Sequence, residues 1–357
     1  MGILTMDYRR VGRSGLVVST VTLGSSTATG NAAYSSGRTG SAGNAEGPFL
    51  DCVRLALEAG VNTFDTAAAY SRGRAEELLG RALAAERRED LVLCTKVYFP
   101  DRPGVNNTGL SRKHIVESLD GSLRRLGVDH VDIYLAHRFD HETPLEETMR
   151  AFADLVRSGK ALYIGVSEWT SPQLRAAAGW ATELGVPLIA DQVVHSPVYR
   201  VSEELVLPTC AELGLGAFAC APLASGLLTG KYRPDQPPPA GSRGADGGNK
   251  SLTPSLADTE LLTRIQRLRV LAAEAGLSLP RLIVAWVLTD PRTTFCSAVV
   301  GATHPGHLTE LLAAADTSVG DDLRAEIDAV LGDRVVRDPT RTLSPPRRPR
   351  LTTADRS

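Results

Sequence analysis

Four side chains that could transfer or direct protons stand near the ends of three successive apolar runs. Asp65 ends the first of these runs and Tyr70 follows it, Lys96 lies in the second run, and His137 directly follows the third. An ammonium group inside an apolar strand needs a counter-ion, because burying an unpaired charge is costly. Asp65, on the preceding run, is the nearest candidate, so we expect a buried ion pair between Asp65 and Lys96.

These four residue types together could protonate a carbonyl group. A phenol is a weak acid with a pKa of about 10, and a cation beside it favours the phenolate, which makes the phenol a better proton donor. We therefore predict that Tyr70 is a general acid beside Lys96 and that His137 directs the carbonyl oxygen. Such a site needs a hydride source opposite. Each residue alone is more often structural, but their convergence at successive strand ends favours catalysis.

The apolar runs alternate with segments of helical spacing along the chain. Each run is continuously apolar, which is typical of parallel strands buried on both faces. The predicted strands are Val21–Gly24, Asn62–Asp65, Leu91–Val97, Val131–Ala136, Leu162–Val166, Leu188–Gln192, Ala217–Ala221 and Ala298–Gly301. The predicted helices are Phe49–Ala59, Arg74–Ala84, Ser111–Leu126, Leu145–Ser158, Ser171–Glu183, Ser202–Glu212 and Pro280–Leu288.

Eight strand–helix units predict an α/β fold, a (β/α)8 barrel of the TIM type. A doubly wound open sheet is the alternative, but such a sheet commonly carries a glycine-rich dinucleotide fingerprint near its first strand. We interpret Gly37, Gly40 and Gly43 as part of a loop instead. In a barrel, the loops that leave the C-terminal ends of the strands carry the chemistry, which agrees with the position of the four polar residues.

Four regions depart from the alternation of strands and helices. Tyr8–Ser19 predicts a β-hairpin that plugs the bottom of the barrel. Gly30–Gly47, after the first strand, and Pro234–Pro254, after the seventh, are long loops that we expect to cover substrate or cofactor; tolerated surface insertions are the alternative. We place the barrel domain at residues 1–337. We expect Asp338–Ser357, which has no apolar periodicity, to be disordered.

The composition excludes several classes of protein. Of the 357 residues, 43% are hydrophobic and 22% are charged, which excludes general disorder. Lys+Arg 39 against Asp+Glu 41 leaves a net charge of -2, so there is no basic field for nucleic acid. No apolar run is long enough to span a membrane. The five cysteines never have CxxC spacing, which favours a reducing cytoplasm and no zinc site. We expect a cytoplasmic protein without a metal.

The motifs around the four polar residues resemble those of the aldo-keto reductase superfamily. They are Phe64–Tyr70, Thr95–Val97, Tyr134–Arg138 and Gly165–Ser167. Two further segments resemble the branch that contains the potassium-channel β subunits and their bacterial relatives, namely Thr143–Thr148 and Pro222–Tyr232. The resemblance runs from about Tyr8 to Leu331. It implies a (β/α)8 barrel that binds NADPH and reduces aldehydes or ketones. It is also compatible with a homo-oligomer, either a tetramer or an octamer.

The resemblance also implies a role for each matched residue. Tyr70 is expected to be the acid, Asp65 and Lys96 to tune it, and His137 to orient the carbonyl group. Within the cofactor site, the serine and glutamine on the fifth and sixth strands are expected to hold the nicotinamide carboxamide. The expected cofactor-binding residues are Ser25, Ser167, Gln192, Leu223, Ala224, Lys231, Ser242, Arg243, Gly301, Thr303, His307 and Glu310.

Three positions depart from the pattern of the family. Glu168 stands where asparagine is common, Cys220 stands where an aromatic ring often covers the nicotinamide, and Ser26 replaces a tryptophan. The first two changes alter the expected nicotinamide contacts. The third leaves a wider mouth, which favours a bulky ketone over a small aldehyde.

Two classes of function remain after this comparison. The first is an active carbonyl reductase of small molecules. A natural-product tailoring ketoreductase, acting on a polyketide side chain of the aureolic-acid type, and a nucleotide-sugar ketoreductase are the candidates within it. The second class is a cofactor-sensing regulatory subunit with little turnover, like the channel subunits. Mammalian channel subunits carry asparagine where this chain has His137, so the histidine favours catalysis.

Overall fold

The strands of the protein form a hairpin and a closed barrel. The computed structural model describes residues 6–29, 46–245, 252–291 and 295–344. The strands are β1 (Tyr8–Arg10), β2 (Val17–Ser19), β3 (Val21–Gly24), β4 (Thr63–Asp65), β5 (Val92–Val97), β6 (Val131–Ala136), β7 (Ala161–Ser167), β8 (Leu188–Val194), β9 (Gly216–Cys220) and β10 (Phe295–Val300). Strands β3 to β10 are parallel neighbours in chain order, and β10 pairs with β3 to close the barrel. The predicted (β/α)8 architecture is confirmed.

Helices with one apolar face surround the barrel. They are α1 (Glu46–Glu58), α2 (Arg74–Leu83), α3 (Arg112–Leu126), α4 (Leu145–Arg157), α5 (Ser171–Leu184), α6 (Val206–Leu213), α7 (Thr253–Leu256), α8 (Thr259–Glu274), α9 (Leu279–Leu288), α10 (Pro305–Leu312) and α11 (Asp321–Leu331). Helix α4 illustrates the principle, because its buried residues Thr148, Phe152 and Leu155 follow the spacing of one helix face.

The N-terminal hairpin closes the bottom of the barrel, as predicted. Strands β1 and β2 are antiparallel, and Val11 and Val18 are fully buried in the cluster that fills the barrel interior. Gly12 lies directly against the start of β9, since a Cβ atom added to it would stand 2.2 Å from the carbonyl oxygen of Gly214. Only glycine allows this approach, and Gly12 has a φ of 56°.

Several predicted boundaries are corrected by the structure. Helix α1 begins at Glu46, so Gly47 belongs to the helix and not to the preceding loop. The helix predicted from Ser202 begins four residues later, because residues 201–205 form turns. Helices α7, α8, α10 and α11 were not among the predicted helices. Helix α8 nevertheless carries a signal, because its buried Leu261, Ile265 and Leu268 share one face.

The long loops and the C-terminal segment are described only in part. Residues 30–45 and 246–251, within the two predicted covering loops, lie outside the described residues, as do residues 345–357. The domain boundary at residue 337 stays a prediction. The expectation of disorder does not hold for residues 338–344, which pack against the barrel: the Tyr199 hydroxyl donates to the carbonyl oxygen of Arg341, and Ser344 is buried. Polar bonds hold this segment, so apolar periodicity could not reveal it.

All five cysteines are free thiols, and four of them are buried.

No single helix in the described ranges is both long and apolar enough to cross a membrane. Helices α8 and α9 reach that length and composition only together, across a bend of 86°.

Candidate active site

Asp65, Lys96 and Tyr70 meet inside the barrel at the C-terminal ends of β4 and β5. Lys96 Nζ donates to Asp65 Oδ1 at 2.5 Å and to the backbone oxygen of Thr66 at 2.8 Å. It also lies 3.4 Å from the Tyr70 hydroxyl oxygen. Lys96 is only 1% exposed, so water screens its charge little. The structure thus holds a cation beside the phenol and a counter-ion behind the cation.

The strands explain why Lys96 points inward. Side chains alternate between the two faces of a strand, so Val92, Cys94 and Lys96 of β5 share one face. Val92 and Cys94 belong to the cluster that fills the barrel, and Lys96 continues that row toward the mouth. Asp65, the last residue of β4, is aligned with Cys94. The register of two neighbouring strands therefore brings the ion pair together.

A strained turn delivers the Tyr70 ring to this pair. Tyr70 begins a tight turn after β4 in which Ser71 and Arg72 have φ values of 50° and 56°. Such left-handed conformations cost about 1–2 kcal/mol for residues that carry a side chain. Lys96 Nζ lies 5.1 Å from the centre of the Tyr70 ring. The ring also meets His137 edge to face at 5.8 Å.

His137 is a buried, uncharged imidazole at this mouth. It follows β6, is 3% exposed, and packs edge to face against Phe99 at 5.1 Å. Burial lowers the pKa of His137 well below 6.5, and the charges of Arg138 and Lys96 lower it further. The imidazole is therefore uncharged at neutral pH. It then carries one ring N–H that can donate to a carbonyl oxygen.

Three of the predicted cofactor residues lie around the same mouth. Gln192 Nε2 donates to Asp65 Oδ2 at 2.9 Å, and the Ser25 backbone N–H donates to the Asp65 carbonyl oxygen at 2.8 Å. Ser167 ends β7 and is buried. Because a carboxylate only accepts hydrogen bonds, Gln192 must turn its NH2 group toward Asp65. Its carbonyl oxygen is then left for the NH2 group of a carboxamide.

The turn after β9 has the backbone of an anion site. Leu223 and Ala224 lie in this turn, and Ala224 and Ser225 have φ values of 47° and 59°. Left-handed residues next to ordinary ones can aim consecutive backbone N–H groups at one anion. Lys231 adds its charge here, because a Cβ atom added to Gly226 would stand 3.4 Å from Lys231 Nζ. These groups suit a pyrophosphate.

Arg243 is a desolvated cation farther along the same loop. The loop is anchored by the Gly244 N–H, which donates to the Tyr232 hydroxyl at 3.1 Å, and Ser242 is buried. Burial lowers the pKa of the Arg243 guanidinium. Arg243 has no ion pair with any residue that the structure describes. A poorly hydrated guanidinium without a counter-ion suits a phosphate, which it can bind with paired N–H groups.

The remaining predicted residues lie in the loop after β10 and in α10. Gly301, Thr303 and His307 are exposed. Partial burial of its ring lowers the pKa of His307, and the charges of His304 and Lys231 lower it further. Glu310 Oε2 accepts a 2.5 Å hydrogen bond from the Ser278 hydroxyl. The carboxylate of Glu310 is therefore directed to the start of α9.

Glu168 binds backbone N–H groups of two different segments with its carboxylate. It follows Ser167 directly, with a left-handed φ of 60°. Its Oε1 accepts from the Val194 N–H at 2.5 Å, and its Oε2 accepts from the Leu343 N–H at 3.3 Å. The carboxylate joins the end of β8 to the C-terminal segment. Burial raises the pKa of Glu168.

Sequence reasoning missed two contributors to the site. Thr66 receives the Lys96 ammonium on its carbonyl oxygen and the Ser25 hydroxyl on its Oγ1. Arg138, which follows His137, is 8% exposed and lies beside Ser167. The signal for Arg138 was similar to that for Lys96, since Arg138 is a cation two residues after the buried strand β6.

These residues could hold a phosphorylated dinucleotide. The described residues contain no group of three or more His, Cys, Asp or Glu that could hold a metal ion. They do offer amide and hydroxyl groups at the mouth, a left-handed turn with a lysine, and a desolvated arginine. This donor set matches a carboxamide, a pyrophosphate and a further phosphate in turn.

Comparison with known proteins agrees with this geometry. The profile of the aldo/keto reductase family matches residues 30–331. A probable voltage-gated potassium channel subunit beta from Arabidopsis thaliana is 37% identical over 318 residues, 87% of this chain and 92% of that protein. A putative subunit of the same kind from Schizosaccharomyces pombe is 36% identical over 91% of this chain and 93% of its own. L-glyceraldehyde 3-phosphate reductase from Escherichia coli O157:H7 is 35% identical over 92% of this chain and 93% of its own.

Proposed function

Because the chain belongs to the aldo/keto reductase family, whose members act as oxidoreductases on carbonyl groups, we propose that it is an NADPH-dependent reductase of aldehydes or ketones. Tyr70 supplies the proton. The observation that carries this proposal is the buried Lys96 ammonium, held between Asp65 Oδ1 and the Tyr70 hydroxyl. An ion pair with a purely structural role would not need a phenol hydroxyl beside its ammonium group.

Four residues of the chain have separate roles in transferring the proton to the carbonyl oxygen. When bound, NADPH supplies a hydride from its nicotinamide ring. The carbonyl oxygen accepts hydrogen bonds from the Tyr70 hydroxyl and from the neutral His137 ring, which fixes its direction. Tyr70 then gives its proton to the oxygen as negative charge develops there. Lys96 stabilises the phenolate that remains, and Asp65 holds Lys96 in place.

The preference for NADPH over NADH rests on the phosphate-binding end of the site. Arg243 is desolvated and has no counter-ion among the described residues. Only NADPH carries a 2′-phosphate that could bind there, with Ser242 beside it. Lys231 and the left-handed turn at Ala224 serve the pyrophosphate, which both cofactors share. Ser167 and Gln192 are left for the nicotinamide carboxamide.

The substrate is a small carbonyl compound, and two candidate classes extend the proposal. The first is a bulky natural-product ketone, such as a polyketide side chain of the aureolic-acid type, and the second is a nucleotide-linked keto sugar. The replacement of tryptophan by Ser26 favours both over a small aldehyde. The relative from Escherichia coli is named for a phosphorylated aldehyde, so such a compound belongs in the same screen.

A cofactor-sensing subunit with little turnover is the second candidate function, favoured by the identity to channel subunits. One experiment separates it from a reductase. Purified protein is incubated with NADPH and a panel of aldehydes, ketones and keto sugars, and the loss of NADPH absorbance is followed. We expect turnover with at least one class. Tight NADPH binding without turnover on the whole panel would favour the sensing role.

We further propose a cytoplasmic location and a homo-oligomeric assembly. The five free cysteines support a reducing compartment, and the channel-subunit relatives support an assembly of identical chains. Light scattering coupled to size exclusion gives the mass in solution. A monomeric mass at micromolar concentration would contradict the oligomer.

A further inference from the structure

Arg138 places a positive charge inside the barrel mouth that takes no direct part in the proposed proton transfer. Its side chain is more than nine-tenths buried. Its Nη1 donates to the carbonyl oxygen of His137 at 2.5 Å and to Ser167 Oγ at 3.4 Å. The guanidinium carbon lies 5.7 Å from the centre of the Phe99 ring, and that ring packs against His137. Arg138 therefore borders the place where the carbonyl group of a substrate would bind.

The hydrogen-bonding capacity of Arg138 is largely unused. Both of its hydrogen bonds to described residues come from Nη1, and both acceptors are uncharged. Its Nε and Nη2 donate to no residue in the described ranges. A guanidinium is always charged, and a buried charge without an ion partner is costly. A bound anion would remove that cost.

Arg138 forms no ion pair with Glu168 or Asp191, the two carboxyl groups whose pKa its charge lowers. Glu168 uses both carboxylate oxygens on the backbone N–H groups of Val194 and Leu343. Asp191 is fully buried on β8, and burial raises its pKa well above 3.8, as does the neighbouring charge of Glu168. The Lys96 charge is matched by Asp65. Arg138 is thus a charged group of the mouth that no described carboxylate contacts as an ion pair.

We propose that Arg138 is a subsite for an oxyanion, a carboxylate or a phosphate, carried by the carbonyl substrate a few bonds from the reacting group. The proposal rests on the function proposed above and adds a substrate class to it. The planar guanidinium can grip such an anion with the free donors on Nε and Nη2. Phe99 packs beside both His137 and Arg138, so it lines the path between carbonyl and anion.

The test compares two substrates of the same shape. These are para-carboxybenzaldehyde, which is an anion at neutral pH, and para-formylbenzamide, its neutral counterpart. They are assayed with wild-type protein, Arg138→Gln and Arg138→Lys. Arg102→Gln is the matched control, because Arg102 lies at the same end of the barrel but is 60% exposed. NADPH affinity is measured for each variant by fluorescence titration.

We expect the wild-type protein to prefer the anion. Arg138→Gln should raise the KM for the anion by about 10- to 100-fold, the loss typical of a charge-assisted contact. The KM for the amide and the NADPH affinity should change little, and Arg138→Lys should recover part of the effect. Equal KM values of the wild-type protein for the two substrates would overturn the proposal. An equal rise in KM for both substrates in Arg138→Gln would also overturn it, because Arg138 would then support the nicotinamide or the fold.

A binding measurement keeps this test independent of turnover. Calorimetric titration of NADPH-loaded protein with benzoate and with benzamide reports the subsite even if neither aldehyde is reduced. Preferential binding of benzoate, lost in Arg138→Gln, supports the subsite without any reductase activity. Equal binding of both compounds overturns it, whatever the outcome of the assays for the proposed function.

Discussion

Gln192 Nε2 donates a 2.9 Å hydrogen bond to Asp65 Oδ2 across the barrel, from β8 to β4. The other oxygen of the same carboxylate holds the Lys96 ammonium. One buried carboxylate therefore joins a residue expected at the nicotinamide to the cation expected beside the acid. In the proposed mechanism, the hydride side and the proton side of the site would therefore share Asp65 as a single anchor.

Removing Gln192 should weaken this anchor. In Gln192→Leu, which nearly keeps the side-chain volume, Asp65 Oδ2 would lose its hydrogen bond while staying buried. We expect the free energy of unfolding to fall by about 1–3 kcal/mol, as measured by urea denaturation. NADPH affinity should fall as well, because the carboxamide would lose a partner. Unchanged stability would mean that the hydrogen bond contributes nothing net to the fold.

Tyr70→Phe should separate proton transfer from cofactor binding. The substitution keeps the ring, which packs against His137, and removes only the hydroxyl group. We expect turnover to fall by about 10²- to 10⁴-fold, the range typical of a lost acid, while NADPH affinity stays close to that of the wild type. Stopped-flow measurement of NADPH oxidation gives the rate. Turnover near the wild-type value would remove Tyr70 from the mechanism.

The burial of His137 predicts a specific pH dependence of stability. Burial, with the charges of Arg138 and Lys96, holds the pKa of His137 well below 6.5 in the folded protein. As the pH falls below 6.5, the unfolded chain therefore takes up a proton on this side chain and the folded protein does not. The free energy of unfolding falls, with a slope of up to about 1.4 kcal/mol per pH unit from this group.

His137→Gln should reduce that slope, because glutamine does not titrate. Urea denaturation of both proteins between about pH 7 and pH 5 checks the prediction, since this window begins above the ordinary pKa of histidine and ends below it. The curves of wild type and variant should converge as the pH falls. Parallel curves across the window would show that His137 is protonated equally in the folded and unfolded chains.

The sequence was sufficient for the parts of the structure that follow from periodicity and burial. Continuous apolar runs predicted the barrel strands, and a lysine in one of them predicted the contact with Asp65, because a buried charge needs its counter-ion. The same reasoning could have included Arg138. It fails for the link between Gln192 and Asp65, since that contact crosses the barrel and depends on strand tilt and closure.

The C-terminal segment could not be predicted for a different reason. Thr342 and Ser344 donate their hydroxyl groups to the carbonyl oxygen of Glu168, and such contacts leave no periodic pattern in the sequence. The bounds of α6 also depended on tertiary structure. Ser202 looks like a helix start, but its hydroxyl lies 3.5 Å from the His195 ring instead, within the turns that precede Val206.

Arg243→Ala should discriminate between the two nicotinamide cofactors. The guanidinium has a phosphate to bind only in NADPH, so we expect NADPH affinity to fall by about 10- to 100-fold and NADH affinity to change little. Fluorescence titration with both cofactors measures this difference. Arg233→Ala, an exposed arginine on the same loop, controls for the loss of a positive charge. Equal losses for both cofactors would place Arg243 at a group that they share.

The contact between Glu168 and the C-terminal segment predicts a thermodynamic coupling. In the full chain, Glu168→Gln leaves one amide oxygen for two backbone N–H groups, those of Val194 and Leu343. One of the two would face the NH2 group of the glutamine instead of an acceptor. We expect the free energy of unfolding to fall by about 1–3 kcal/mol.

The same substitution should lower the free energy of unfolding by less in a chain that ends at Arg337. Without residues 338–357 only the Val194 N–H needs an acceptor, and the oxygen of a glutamine can serve it. Urea denaturation of the four proteins, with and without the substitution and with and without the segment, gives the coupling free energy directly. A cost of Glu168→Gln that is equal in both backgrounds would show that the segment and the carboxylate stabilise the barrel independently. A smaller cost in the shortened chain would establish Glu168 as the anchor of the segment.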